Sequence, residues 1–499
     1  MRSDDGKAES ATVRTLIPAR LDRLPWTRFH WLVVISLGVS WILDGLEIQI
    51  VSSVSPVLQK AATLGLSTAE TGLIGSVYLF GEVVGALVFG RLTDRLGRKR
   101  LFMWTLGIYL LASGISGLSP TLWFLLMFRF IAGLGIGGEY TAINSAIDEL
   151  IPPHYRGRVD IAVNGTYWAG AMIGSAASLF FFNPHILPAD IGWRLAFFIG
   201  PILGIIVIFL RRSIPESPRW LMTHGRYDEA EQTIDGIEDR VRRSGVKLDK
   251  VAANKAIEIR ARGAIPYRVI ARTMVREYPS RSFLGFSMMV TQSFLYNAIF
   301  FSYALVLVHF YHIATDQTGL YFFPFAAGNL AGPILLGPLF DTLGRRKMIL
   351  LTYGLSGILL AISGILFDEG VLNVITQTVF WCVIFFFASA GASSAYLTVS
   401  EIFPLELRAQ AISFFFAISQ LAGGVAAPTL FAALVGNGHH TGPLAIGYYI
   451  GATVMCAGGL IAWFFGVNAE RRSLEDVAAP LSEMTKVVGG RRTTRPSPA

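Results

Sequence analysis

GRLTDRLGRKR, residues 90–100, returns as GPLFDTLGRRK at residues 337–347. Both copies place Gly-x-x-x-Asp-x-x-Gly-Arg-Arg/Lys between two apolar runs, and they begin 247 residues apart, at 90 and at 337. A second pair keeps the same order: ELIPPHYRG at 149–157 and EIFPLELRA at 401–409, which begin 252 residues apart. Two different motifs repeating in one order at nearly one offset indicate duplication of a larger unit. The apolar runs around them recur at about 29–53, 71–91, 101–119, 121–149, 160–182, 193–211, 282–311, 317–339, 347–367, 371–400, 409–435 and 443–467. Most are near the ~20 residues a helix needs to cross a hydrocarbon core of about 30 Å.

The predicted organisation is therefore a cytoplasmic tail at 1–28, six spans within 29–211, a polar linker at 212–281, six more spans within 282–467, and a tail at 468–499 expected to be disordered. In the linker, Ile234, Ile237 and Val241 recur at helical spacing among charged residues, which predicts short amphipathic helices lying on the cytoplasmic face. The 499 residues are 53% hydrophobic and 15% charged, with a mean hydropathy of +0.53, a composition of an integral membrane protein. The formal charge of +8 sits in alternate loops, at Arg91 to Arg100, Arg156, Arg158 and Arg345 to Lys347, and in the tails. By the positive-inside rule these loops and both termini face the cytoplasm of a plasma membrane, a bacterial inner membrane on this reading, and nucleic acid is not a partner. The N-terminal segment lacks the apolar core and cleavage site of a signal peptide. Cys382 and Cys456 both fall inside spans, where a disulfide has no evident role.

With PESPRWL at 215–221, GWR at 192–194 and ERRSLED at 470–476, the paired loops resemble the major facilitator superfamily, in its sugar porter and metabolite:proton symporter branch. The resemblance runs from the first span to about residue 476. It implies an all-α integral membrane protein of twelve transmembrane helices in two pseudo-symmetric six-helix bundles, with a substrate site between them near the midplane.

A carboxylate at the inner end of a span can pair with arginine and with the free N–H groups of a neighbouring helix start. Asp94 with Arg95 and Arg98, Glu149 with Arg156, and Glu401 with Arg408 are the candidates for such a gate, together with Asp341 and Arg345 of the second loop copy. The resemblance implies that the network holds the outward-open state and breaks as the protein turns inward. Charge topology alone asks for lysine and arginine and gives no reason for the paired acids. Arg98 also reads, with Lys99, Arg346 and Lys347, as a snorkelling cation.

Ionisable residues within spans are costly and suggest function. The first half holds Asp44, Glu47, Glu82, Arg129 and Glu139, whereas the second half has no acid or base well inside a span. Span 1 runs outward, placing Asp44 and Glu47 roughly 15 and 10 Å below its outer end, and Arg129 lies roughly 12 Å down span 4. An arginine at their level that moved away between two conformations would switch a carboxylate's proton affinity. The resemblance aligns Glu47 with the coupling carboxylate of proton-coupled sugar porters and Arg129 with the arginine opening their span 4 motif. A similar Asp-Gly-x-Asp pattern in aromatic-acid symporters gives Asp44 a role as well. Glu139, in GLGIGGEY, sits where glycines permit close helix approach.

For substrate, the resemblance points to Asn164, eight residues after Arg156, to Gln292 and Asn297 in span 7 followed by Phe300, Phe301 and Tyr303, and to Asn329, twelve residues before Asp341. Amides offer donors and an acceptor without fixed charge, which suits hydroxyl-rich ligands; they also serve as interhelical glue. The chain departs from sugar porters at GASSAYLTVSE, 391–401, where Tyr396 replaces their tryptophan and no proline precedes it. An organic acid therefore stands beside a sugar or polyol as the expected cargo, and for an anion Arg129 could serve directly.

The expected function is secondary transport of a small polar metabolite by alternating access, with proton symport. An uncoupled facilitator and a transporter-like nutrient receptor are the alternatives. No HExxH, serine-histidine or nucleotide-loop pattern suggests an enzyme, a metal or a cofactor, and the driving force would be a proton gradient. The expected partners are substrate, proton and the bilayer, around a monomer.

Overall fold

The computed structural model describes residues 12–58, 60–183, 186–212, 214–260, 267–313, 318–426, 430–431, 434–435 and 440–478. Strand β1, Thr12–Thr15, and helix α1, Ile17–Asp22, precede the first long helix, α2, Arg28–Leu58. Helix α3, Thr68–Leu96, starts on a capping box in which the Ser67 side chain accepts from the Glu70 N–H and the Glu70 carboxylate accepts from the Ser67 N–H. Gly97, at φ +90°, turns the chain directly into α4, Arg98–Ser116. Helix α5, Leu122–Leu150, is capped by Thr121, and the first half closes with α6, Pro153–Gly165, α7, Tyr167–Phe181, and α8, Ala189–Arg212.

After the short helices α9, Pro218–Thr223, and α10, Tyr227–Arg243, strand β2, Ile257–Arg260, pairs antiparallel with β1 in the register Thr12 to Arg260. Helix α11, Tyr267–Arg272, leads to α12, Pro279–His309, then α13, Thr318–Thr342. Gly344, at φ +101°, makes the second direct turn, into α14, Arg345–Asp368. Helices α15, Val374–Ile402, α16, Leu405–Gln420, α17, Gly442–Phe465, and α18, Leu474–Val477, complete the described chain, with a π-helical turn at Leu421–Ala426 continuing α16. The two repeated loops thus share one device. A residue with a Cβ is strained at such φ, and glycine is not.

Among the described residues, eight helices are long and apolar enough to cross a membrane by length and composition alone. The other four expected spans fall on α4, on α6 and α7 together, on α12, and on α16 with its π turn. The helices pack as two equivalent sets: α3 with α5 and α2 with α7 in the first half, α13 with α15 and α12 with α16 in the second. Small residues let backbones approach, and a side chain at Gly137 of α5 would run into the backbone of Glu82 on α3. Across the halves, α3 meets α16 while α6 and α7 meet α13.

The amphipathic linker helix forms as expected, with Ile234, Ile237 and Val241 of α10 buried. Its opposite neighbour is less expected: the N-terminal segment is a folded part of the linker layer. Arg20 pairs with Glu231, Asp235 and Glu238 at 2.7, 2.5 and 2.8 Å, and Arg23 adds a second bond to Glu238 at 2.5 Å. Burial alone would raise the Glu238 carboxyl, but the hydrogen bonds from Arg20 and Arg23 outweigh it and hold that group below its usual range. The bond to Glu238, opposed by burial, likewise holds the Arg20 guanidinium above its usual value.

The tail from 468 also differs in part from its reading as disordered. Residues up to 478 carry α18, and Arg281 donates to the Val477 carbonyl at 3.1 Å. Residues 479–499 lie outside the described residues, as do the side chains of Asp94, Arg95, Arg98, Phe300 and Phe301. Cys382 and Cys456 are free thiols.

Candidate functional site

A cavity of about 180 Å³ lies between the halves, many times the ~10–15 Å³ that a single water needs. The first half lines it with Trp41 of α2, Glu82 of α3, Tyr140 of α5, Asn164 of α6, and Tyr167 and Trp168 of α7. The second half answers with Gln292, Ser293, Tyr296 and Asn297 of α12, Ser389, Ser393 and Tyr396 of α15, and Phe416 and Gln420 of α16.

Two helix irregularities put side chains there. The fifth span breaks at Thr166, whose hydroxyl donates to the Gly38 and Val163 carbonyls at 2.9 and 2.6 Å, so that Tyr167 and Trp168 open a new helix against the cavity. The sixteenth helix changes to π geometry just after Gln420, a distortion frequent at functional sites. Gln420 then bridges the halves: its amide accepts from the Ser293 hydroxyl at 2.9 Å and donates to the Glu82 carboxylate at 3.3 Å.

Behind the first-half wall lies the acid cluster. Arg129 of α5 donates to the Glu47 carboxylate of α2, and its guanidinium lies 4.3 Å from the centre of the Tyr78 ring. Asp44, one helical turn before Glu47, accepts from the hydroxyls of Tyr140 and, at 3.3 Å, of Tyr78. Tyr140 therefore touches the cavity with its ring and the acid cluster with its hydroxyl. Glu139 is placed elsewhere: Arg211 of α8 binds it together with the Ser40 hydroxyl, tying α2, α5 and α8. Burying such an ion pair is costly unless its geometry and hydrogen bonds are good, and removing one partner is costlier still.

A third cluster closes the basic-loop side. Arg345 binds Glu401 through two nitrogens, each at 3.0 Å, and Asp341 at 2.9 Å, all within the second half. The links that cross halves are longer: Arg156 to Glu401 and Arg408 to Asp148 at 3.9 Å each, and Arg158 Nε to Asp341 at 3.5 Å. One short bond crosses as well, from the Arg158 backbone N–H to Asp341 at 2.9 Å. The second half is thus tightly tied internally and more loosely tied to the first.

Glu82, Asn164, Gln292, Asn297 and Tyr396 of the expected residues line the cavity, while Asp44, Glu47 and Arg129 form one cluster behind it. Asn329 and Tyr303 stand one layer back. Asn329 accepts from the hydroxyl of the cavity residue Tyr296 at 2.9 Å, and Tyr303 donates to the Tyr321 carbonyl at 2.6 Å. The expected pairing of Glu401 with Arg408 is redrawn, because Asp148, not singled out in the sequence, sits between Arg408 and Arg156. Glu149 offers its backbone carbonyl to Arg219 at 2.8 Å. Arg129, offered as a direct partner for an anion, is engaged by Glu47 and does not line the cavity. Tyr140, Tyr296, Ser293 and Gln420 were missed. Tyr140 adjoins Glu139 in the sequence, yet nothing in its spacing separates it from packing aromatics.

Two six-helix sets around a central cavity are the build of a multi-pass membrane transporter of the major facilitator type. The family model for sugar (and other) transporters matches residues 32–480, and the chain belongs to that family. It is 30% identical to the niacin transporter NiaP of Acinetobacter baylyi over 412 residues, 82% of this chain and 88% of the relative. It is 26% identical to a D-xylose transporter of Levilactobacillus brevis, over 89% of this chain and 94% of the relative. Among solved structures, the proton:xylose symporter XylE bound to 6-bromo-6-deoxy-D-glucose matches with a TM-score of 0.74 at 19% identity, covering 90% of this chain and 98% of that one. Family and relatives are carriers of small molecules, so the chain is a transporter and not an enzyme.

Proposed function

We propose that the chain is a proton symporter for a small polar metabolite, which exposes the central cavity alternately to the two sides as its halves rock. The observation that carries this reading is the Glu47–Arg129 pair beside Asp44, buried yet one tyrosine away from the cavity. In this conformation Arg129 is the charge partner of Glu47. A conformation that draws Arg129 away leaves a carboxylate in a poorly solvated site, where it must take a proton. Tyr140 and Tyr78 give Asp44 two donors and supply a route by which ligand position is felt at the acids.

On this reading the gate and both termini lie on the cytoplasmic side of a plasma membrane, which the basic loops support through the positive-inside rule. Only the proton gradient is needed as driving force, with no cofactor. Uptake into proteoliposomes under an imposed pH gradient tests the proposal. Uphill accumulation that disappears when the gradient is collapsed with a protonophore supports it, and accumulation indifferent to the gradient overturns it.

A further inference from the structure

Glu82 differs from every other acid in the first-half core because it lines the cavity itself. It is 1% exposed, one carboxylate oxygen is met by Gln420, and the other, Oε1, has no hydrogen-bond partner. A buried polar atom of this kind calls for a partner that the protein does not supply. Among the described residues lining the cavity there is no arginine, lysine or histidine.

The surroundings narrow what the missing partner is. Trp41 and Tyr140 stack with centroids 4.7 Å apart, Phe416 meets Tyr140 at 4.8 Å, and Tyr396 lies 6.2 and 6.4 Å from Trp41 and Phe416. Four aromatic rings beside a carboxylate form a site suited to a positive charge, which ring faces attract, and to a flat ring, which they stack upon. The two arginines nearest in the first-half core, Arg129 and Arg211, are each bound to another acid, Glu47 and Glu139.

We propose that the central cavity selects a small organic cation, an ammonium or cationic nitrogen heterocycle of one-ring size, with Glu82 Oε1 as its charge partner and the ring cluster around Trp41, Tyr140, Tyr396 and Phe416 as its cage. This deepens the transport reading and rests on it only in taking the cavity as the ligand site. Proton and ligand then occupy different carboxylates, Glu47 or Asp44 for one and Glu82 for the other, so that both can be carried at once.

The test is calorimetric binding to the purified full-length protein in lipid nanodiscs with four probes: 1-methylpyridinium-3-carboxamide, pyridine-3-carboxamide, pyridine-3-carboxylate and xylose. The three pyridines share a ring and differ in charge. The expected result is that the cation binds at least tenfold more tightly than the carboxylate, and that Glu82→Gln removes at least tenfold of the cation's affinity while changing the neutral amide's by less than threefold. Equal or tighter binding of the carboxylate or of xylose, or no binding of the cation at millimolar concentration, overturns the proposal whether or not Glu82→Gln folds. Loss of the symport reading has a different signature: cation binding is intact and Glu82-dependent, but accumulation ignores the pH gradient.

Discussion

Arg129 of α5 and Glu47 of α2 form an ion pair in which neither side chain has meaningful contact with solvent. Two nitrogens of the same guanidinium, Nε and Nη2, have no hydrogen-bond partner. The arginine is therefore held by one carboxylate and by the Tyr78 and Phe197 rings, at 4.3 and 5.6 Å. Arg129→Ala leaves Glu47 buried and alone, which costs about 3–5 kcal/mol when a buried pair loses one member. The expected outcome is a marked fall in the thermal unfolding midpoint, partly recovered when Glu47→Gln is added. No recovery in the double variant would mean that the two side chains do not depend on each other.

The gate on the basic-loop side joins short bonds within the second half to longer ones between halves. Asp341→Asn weakens its bonds with Arg158 and its charge on Arg345 while leaving the bidentate Arg345–Glu401 contact. A loss of about 1.5 kcal/mol, the low end for a hydrogen bond to a charged group, shifts a two-state equilibrium about tenfold. Spin labels across the loop ends of α6 and α13 should report a larger population with that side open. An unchanged distance distribution would remove Asp341 from the gate.

The direct turns at Gly97 and Gly344 predict a paired effect. Alanine at either position must adopt a φ near +90° to +101°, at a cost of roughly 1–3 kcal/mol. At Gly97 the added methyl also meets the Glu216 carboxylate, and at Gly344 it comes to 3.1 Å of Glu470. Both variants should lower the unfolding midpoint, the first more than the second. Equal midpoints to the parent protein would show that the turns relax without glycine.

The N-terminal segment should leave the linker at acid pH. Glu238 is held below its usual carboxyl range by Arg20 and Arg23, so its contribution to docking is complete above the unfolded value of about 4.3 and is lost as the pH falls through its lowered folded value. Protease cleavage within residues 12–28 should be slow at neutral pH and rise below about pH 4, while Glu238→Gln should expose the segment at neutral pH as well. Protection that does not depend on pH would separate docking from this clasp.

Much of the architecture was legible because a membrane restricts the options. Hydropathy, the loop pair at 90 and 337, and the linker pattern of Ile234, Ile237 and Val241 each have one physical reading. The Glu47–Arg129 contact was legible too, because helix rise places both at one depth. What the sequence hid were features set by backbone irregularity and by side-chain direction. Thr166 breaks a span without proline, and Gln420, just before a π turn, meets Glu82 across the halves. Asn329 and Asn164 look alike in the sequence, yet Asn164 reaches the cavity and Asn329 supports Tyr296 from behind. The folding of the N-terminal segment onto α10 and β2 depends on partners more than 200 positions away, as with Arg20 and Glu238, and no local pattern announces it.

The central claim is that the pair formed by Glu47 and Arg129 couples proton to ligand, and the Glu47→Gln protein in proteoliposomes tests it most directly, with accumulation and exchange of one transported ligand measured in parallel. The predicted result is that uphill accumulation under a pH gradient is lost while exchange across the membrane continues, because the cavity still binds and the halves still rock. Accumulation at the level of the parent protein would contradict the account.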